Sequence, residues 1–308
     1  MATSCTTSLA TNVSMTSDVQ CKVAVALSGE VSWSLPDNLE NLAHFVVSAA
    51  RRPGCLFVHG YANRDDGWIA TLRSMAQRVP GVRGVAIEGR SSRHGVASLI
   101  ADCTRSSFVH LADELRRRNG GRRSRLGSMI YSAPMFRNIW LSVFMARHAA
   151  PHAEFIVRAR VDHRLKMPLD WAAVAAASAR GRMCVGLRRQ HYATQVGGVP
   201  VAVRCVADDQ FAVGPPALIE LYARVFADFW RLLLLLPLWR IDMIGHTNER
   251  IVAAQLRFRR VPYEFLPIDG GIYHHRCGCA ATRRVLLNCT RCGERRAAEL
   301  NASHVRVV

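Results

Sequence analysis

The sequence predicts an α/β protein, a mostly parallel sheet flanked by helices, followed by a small Cys-rich C-terminal tail. Three observations predict it. Short apolar runs alternate with segments of helical spacing from residue 22 onward. Several of those runs end in small or polar residues, as strands do where an open parallel sheet meets its ligand. Over 308 residues, 50% hydrophobic against 21% charged is enough to bury a sizeable core.

The elements follow in order. KVAVAL (22–27) is a strand closed by the turn residues Ser28 and Gly29, and LPDNLENLAHFVVSAA (35–50) has helical spacing. Pro53-Gly54 punctuates, and CLFVHGY (55–61) is a second strand. DDGWIATLRSMAQRV (65–79) is helical, VRGVAIE (82–88) a third strand, and 93–150 mostly helical with a break at Gly120-Gly121. FIVRARVDHRL (155–165) is a strand, DWAAVAAASA (170–179) a helix, and RMCVGL (182–187) and VPVAVRCV (199–206) are strands. Pro215-Pro216 opens a helix to about Phe229, since proline is tolerated in a first turn. A helix near 248–259 and a last strand, VPYEFLPI (261–268), complete the regular part. The expected organisation is a disordered leader (1–20), one domain (21–270) and a tail (271–308).

The formal net charge is +18, from 41 Lys and Arg against 23 Asp and Glu, with runs such as ELRRRNGGRRSR (114–125). Such an excess suits nucleic acid, an anionic membrane surface or a phosphorylated small molecule, and genomic compositional bias explains it equally well. No stretch is apolar enough to cross a bilayer. The nearest, FADFWRLLLLLPLWRI (226–241), holds Asp228, Arg231 and Pro237 and reads as a buried or interfacial helix. The Ser- and Thr-rich start lacks the basic and apolar regions of a secretory signal. A cytoplasmic location, or one peripheral to Golgi, ER or inner membrane, is expected. Sequons stand at Asn12, Asn288 and Asn301.

Of ten cysteines, Cys5, Cys21, Cys55, Cys103, Cys184 and Cys205 lie mostly beside apolar residues and are expected to be reduced core thiols. The others, Cys277, Cys279, Cys289 and Cys292, form a C-x-C and a C-x-x-C compact enough for a tetrahedral structural Zn²⁺. Two disulfides or free thiols are the alternatives.

FIVRARVDHRL carries the chemistry. Alternation along a strand sends Arg158, Arg160 and Asp162 to one side, and Phe155, Val157, Ala159 and Val161 to the core. A strand-end Asp can hold Mg²⁺ or Mn²⁺ through oxygen, and guanidinium groups beside it can take phosphate oxygens in pairs. A nucleotide diphosphate with its metal satisfies all three, while a self-contained Arg–Asp ion pair is the simpler alternative. In VADDQFAVGPP (206–216), Asp208 and Asp209 end a strand and can supply a metal ligand or general base, with Gln210 as a hydrogen-bonding neighbour. A local backbone bond in a surface turn explains them as well. Glu249 lies in the first turn of its helix, where helix polarity alone accounts for it. Gly29 and Gly60 allow a ligand close to the backbone. His59 can meet a base or ribose, or sit in the core.

In their order, VAVALSGEV, CLFVHGYAN, FIVRARVDHRL, ADDQFAVG and TNERIVAAQL resemble the nucleotide-diphospho-sugar glycosyltransferases of GT-A type, including lipopolysaccharide- and capsule-synthesis proteins. The resemblance spans about 22–268. It implies a GT-A-like (Rossmann-like) fold and transfer of a sugar from a nucleotide-diphosphate donor to a glycan or glycolipid acceptor. By that resemblance Asp162 holds the donor-site cation, and Arg160 departs from the family by replacing its first carboxylate. With Arg158, Arg160 can neutralise the diphosphate directly. Ser28, Gly29, His59 and Gln210 line the donor site, Asp208 or Asp209 deprotonates the acceptor hydroxyl, and Glu249, at the family's acidic helix position, is the third candidate catalytic residue. Peripheral membrane contact is compatible with the basic charge.

The rival reading from another class is a basic nucleic-acid-binding protein with a zinc-braced tail. An aromatic content of 7%, with no aromatics interleaved among the basic residues, speaks against it. No nucleic-acid partner is expected. A catalytically inactive scaffold of the same fold is the third reading.

Overall fold

β1 (Val23–Glu30) lies between β2 (Gly54–Tyr61) and β4 (Phe155–Arg160), and all three strands run parallel. They belong to a computed structural model that describes residues 20–62, 66–89, 126–190, 195–196, 199–200, 204–235 and 247–272. Beside them stand β3 (Val82–Glu88), β6 (Met183–Gln190), β9 (Arg204–Gly214) and β10 (Tyr263–Leu266). The seven-stranded order is β10-β6-β9-β4-β1-β2-β3, with β9 antiparallel to both its neighbours. The sheet is therefore mixed and mostly parallel, as the alternation of runs and helices predicts. Two smaller pairs join β5 (His163–Leu165) to β11 (Gly270–Ile272) and β7 (Gln195–Val196) to β8 (Val199–Pro200).

Helices cover both faces. On one face pack α3 (Leu126–Ala149), α5 (Pro216–Ala223), α6 (Val225–Leu235) and α7 (Thr247–Phe258); on the other lie α1 (Leu35–Leu42), α2 (Asp66–Gln77) and α4 (Trp171–Ala179). β1 shows why. Val23, Val25 and Leu27 are buried towards α1 and α2, and Ala24 and Ala26 towards α3. The small residues let α3 approach the sheet, and each fully buried Val or Leu on the opposite face contributes about 1.5–3 kcal/mol. Gly84 of β3 serves the same close packing: a Cβ there would lie 3.2 Å from Phe57 and 3.3 Å from Met145.

Several expectations change. The helix expected over 35–50 regular-turns only to Leu42, then loosens into a π turn (Ala43–Val47) and a 3₁₀ turn (Ser48–Ala50) that Arg51 ends at φ 51°. The helix from Pro216 breaks at Arg224 and resumes as α6. The strand in FIVRARVDHRL stops at Arg160, so Asp162 stands in a turn beyond it and His163 starts β5. The two aspartates of VADDQF do not end a strand. β9 runs on to Gly214, because its backbone is paired on both edges, to β4 and to β6.

The expectation of reduced core thiols fails for one pair: Cys21 and Cys55 form a disulfide, with Cα atoms 5.8 Å apart. The parallel register sets Cys55 opposite Ala24, and the amides of Lys22 and Val23 both donate to Pro53 O, which brings Cys21 alongside. Cys184 is a buried free thiol as expected, its pKa pushed up to about 11 by burial. Asp228 explains the apolar helix that contains it. Arg259, just past the end of α7, donates Nε and Nη2 to its two oxygens at 2.7 and 2.6 Å, and Gln255 adds a bond at 3.1 Å. Burial alone would raise the Asp228 pKa, but these donors hold it below the ordinary carboxylate value.

Among the described residues no helix is long and apolar enough to cross a membrane. The chain divides into a unit through Ile272 and a second from Tyr273 to Val308. The latter, with Cys277, Cys279, Cys289 and Cys292, lies outside the described residues, as do the leader, the sequons, Cys5, Cys103 and the 114–125 Arg run.

Candidate active site

Strand order runs outward from β1 through β2 to β3 on one side and through β4 on the other. In open α/β sheets such a reversal leaves a crevice outside the strands' carboxyl ends, because the two crossover connections diverge there. The last paired residues of β1 and β4 at that point are Ser28 and Arg160. β9 arrives antiparallel, so its earlier residues reach the same end: Phe211 pairs with Ala159, and Asp209 and Gln210 lie just beyond.

The alternation read from FIVRAR holds. Ile156 belongs to the core on the α3 face, and Phe155, Val157 and Ala159 to the core on the α1 face. Arg158 therefore shares a face with Arg160, yet it is 0% exposed. It donates Nη1 to the backbone oxygen of Asp209 and Nη2 to Ser28 Oγ at 3.3 Å, tying β4 to β1 and β9.

Arg160 has a different setting. Its Nε and Nη2 each donate at 2.8 Å to one oxygen of Asp162, a two-pronged ion pair with side chains 18% and 7% exposed. Burial alone would lower the Arg160 pKa, but the bonds and charge of Asp162, helped by Asp209 and Tyr61, raise it well above the ordinary value. Its Nη1 donates no hydrogen bond to the described residues. The guanidinium is thus fixed along one edge, on a side chain that is not wholly enclosed.

Asp209 and Gln210 are buried beside this pair. Following Asp162 in the chain is His163, buried against Phe211 with ring centroids 6.1 Å apart. Its pKa falls to about 4, chiefly through burial; Asp162 opposes the shift, and Arg158 and Arg160 reinforce it. At neutral pH it is an uncharged imidazole within a cluster of charges.

His59 lies opposite Ser28 in the β1–β2 register, on the α3 face. Its Nε2 is 3.4 Å from Glu88 Oε1, and Arg137 of α3 donates Nη1 to both Glu88 oxygens at 2.8 Å. Burial carries the His59 pKa down to about 4, against the charge of Glu88 and with that of Arg137. Glu88 and Arg137 had not been singled out in the sequence; an arginine amid the apolar run IYSAPMFRNIWLSVF was the signal for them.

The glycines have structural duties. Gly29 adopts φ +134°, and a Cβ on Gly60 would fall 2.5 Å from Val31 Cγ1 and 3.0 Å from Gly29 O. Glu249 is buried in the first turn of α7, which packs against β9. Asp208 lies in β9, and its side chain is outside the described residues. The sheet end therefore gathers Ser28, Gly29, Arg158, Arg160, Asp162, His163, Asp209 and Gln210. His59 turns to Glu88 instead.

The donor set decides what this end can hold. Asp162 gives both oxygens to Arg160, and among the described residues no three His, Cys, Asp or Glu groups come together as metal ligands. A divalent cation at Asp162 would have to share that carboxylate with a guanidinium, so the residues present do not fit it. What the end offers instead is an anchored cation, hydroxyl and amide groups and a buried carboxylate.

No protein-family model and no curated protein sequence matches the chain. Among solved structures it is similar to the crystal structure of mouse xyloside xylosyltransferase 1 in its apo form, at 12% identity over 79% of this chain and 85% of that one, with a TM-score of 0.36.

Proposed function

We propose that the chain is a glycosyltransferase that moves a sugar from a nucleotide-diphosphate donor to a glycan or lipid-linked acceptor. One observation carries the reading: Ser28 and Arg160 stand side by side on adjacent strands at the strand-order reversal, with Asp162, Asp209 and Gln210 gathered at the same end. A crevice at this place suits a ligand with a phosphate-bearing moiety. Bond cleavage leaves negative charge on the departing diphosphate, and a fixed guanidinium stabilises charge that develops in the transition state. Asp209 is the carboxylate assigned to accept the proton from the acceptor hydroxyl. The ordered strand-end motifs of the sequence support the same reading.

The test is a panel of UDP-, GDP- and CDP-sugars with glycan acceptors, following release of the nucleoside diphosphate. Wild-type protein is expected to release it, and Asp209→Asn to lose about 10²-fold or more in turnover while keeping its folded circular-dichroism spectrum. Full turnover by the variant removes Asp209 from the role. Failure of every nucleotide sugar to bind removes the function.

A further inference from the structure

We propose that this site binds its diphosphate without a divalent cation, the Arg160 guanidinium standing in the cation's place with Asp162 as its anchor. The inference rests on the nucleotide-sugar reading and specifies the chemistry of that same site.

The geometry supplies the argument. Asp162 is not presenting oxygens to an open position: each is engaged at 2.8 Å by a different nitrogen of one guanidinium. That grip uses Nε and one N–H of Nη2, the side of the fork that a phosphate would otherwise take. It leaves Nη1, with two N–H groups, and the second N–H of Nη2 on the opposite edge. The same planar fork that grips a carboxylate on one side can present parallel donors to phosphate oxygens on another.

The charges point the same way. Two carboxylates holding a divalent cation carry no net charge, and an arginine paired with one aspartate carries none either. The Arg160–Asp162 pair therefore presents a diphosphate with a balanced site that already contains its cationic centre. A metal ion added at Asp162 would bring two positive charges against a guanidinium whose protonation is strengthened by its surroundings, and Arg160 cannot yield by losing a proton. Arg158 backs the arrangement from behind. Its contacts with Ser28 and the Asp209 backbone fix the strands on either side of β4, and its complete burial leaves Arg160 as the arginine of this strand that can reach a ligand.

Calorimetric titration of the full chain with UDP and with GDP tests the inference, first in EDTA and then with excess Mn²⁺ or Mg²⁺. Wild-type affinity for the preferred nucleotide is expected to change less than threefold between the two conditions. Asp162→Asn, which loosens the grip on Arg160, weakens that affinity at least tenfold in EDTA, and Mn²⁺ does not restore it. Arg160→Asp, which creates a carboxylate pair, turns binding metal-dependent; Arg160→Gln replaces it if that variant does not fold, and loses affinity with or without metal. Binding by the wild type only in the presence of metal overturns the inference and leaves the glycosyltransferase reading standing. No binding of any nucleoside diphosphate under either condition overturns both.

Discussion

Ser28 and Arg160 are partners in the parallel register of β1 and β4, where the order of the sheet turns from β2 and β3 towards β9. The pairing sets a hydroxyl and a cation side by side with no loop between them. Both are carried on strands paired along each edge, so the positions are held by the sheet itself and not by a mobile segment.

Replacing Arg160 by lysine keeps the charge and removes the fork on Asp162. A single ammonium cannot reproduce the two parallel bonds at 2.8 Å. Turnover of the nucleotide-sugar donor is expected to fall about 10²-fold, the order seen when one preorganised donor to developing charge is removed. Steady-state release of the nucleoside diphosphate measures it; an unchanged rate would take Arg160 out of the reaction.

Arg137 and Glu88 form a nearly dry ion pair, with side chains 4% and 11% exposed. Arg137→Met leaves the Glu88 charge buried beside His59 and should cost about 3 kcal/mol or more in urea unfolding. Combining it with Glu88→Gln should recover much of that loss, because the orphaned charge disappears with its partner. The single variant has a second signature. With the Arg137 charge gone, the Glu88 carboxylate raises the His59 pKa from about 4, which imidazole NMR shifts can follow.

The Cys21–Cys55 disulfide closes a loop with a sequence separation of 34. Cys21→Ser with Cys55→Ser is expected to lower stability by about 3 kcal/mol. Thermal unfolding of the oxidised wild type against the double variant, both without reductant, gives the difference. Equal midpoints would show that the cross-link contributes nothing to the fold.

Acid should destabilise the fold in a defined window. His59 and His163 both titrate near 4 when folded, against 6.5 for an ordinary imidazole, so the unfolded chain takes up their protons first. Their contribution is complete above pH 6.5 and is lost as pH falls towards 4, up to about 3 kcal/mol for each. Asp228, held below its ordinary pKa, acts in the same direction at lower pH. Urea midpoints should hold from pH 7.5 to about 6.5 and fall from there to 4.5, and His163→Phe should flatten that fall. A pH-independent midpoint contradicts the burial of neutral imidazoles.

Strands β1 and β2 were legible because each runs apolar on both faces up to its polar end and is bounded by turn residues. The sharing of one face by Arg158 and Arg160 followed from alternation alone. Alternation could not say that Arg158 is wholly enclosed, since that depends on which carbonyl and hydroxyl groups other strands bring to it. VADDQF misled for a similar reason. An aspartate pair normally marks a turn, but pairing with β6 before it (204–207) and with β4 and β6 after it (211–214) keeps β9 extended across the gap. His163 stands in FIVRARVDHRL, but its burial against Phe211 is a long-range matter. Cys21 and Cys55 looked like ordinary core thiols because nothing local records the Pro53 carbonyl that joins their strands.

The disulfide lies at the amino ends of β1 and β2, and the gathered polar groups lie at the opposite ends. Between Val23 and Ser28 the strand advances roughly 17 Å. One rim of the sheet is thus riveted covalently while the other is laced by ion pairs and hydrogen bonds. Reductant is therefore a handle on the riveted rim alone, since buried ion pairs at the other rim respond to neither reductant nor, to any great extent, salt. Dithiothreitol should lower the melting temperature and leave nucleotide affinity where it was.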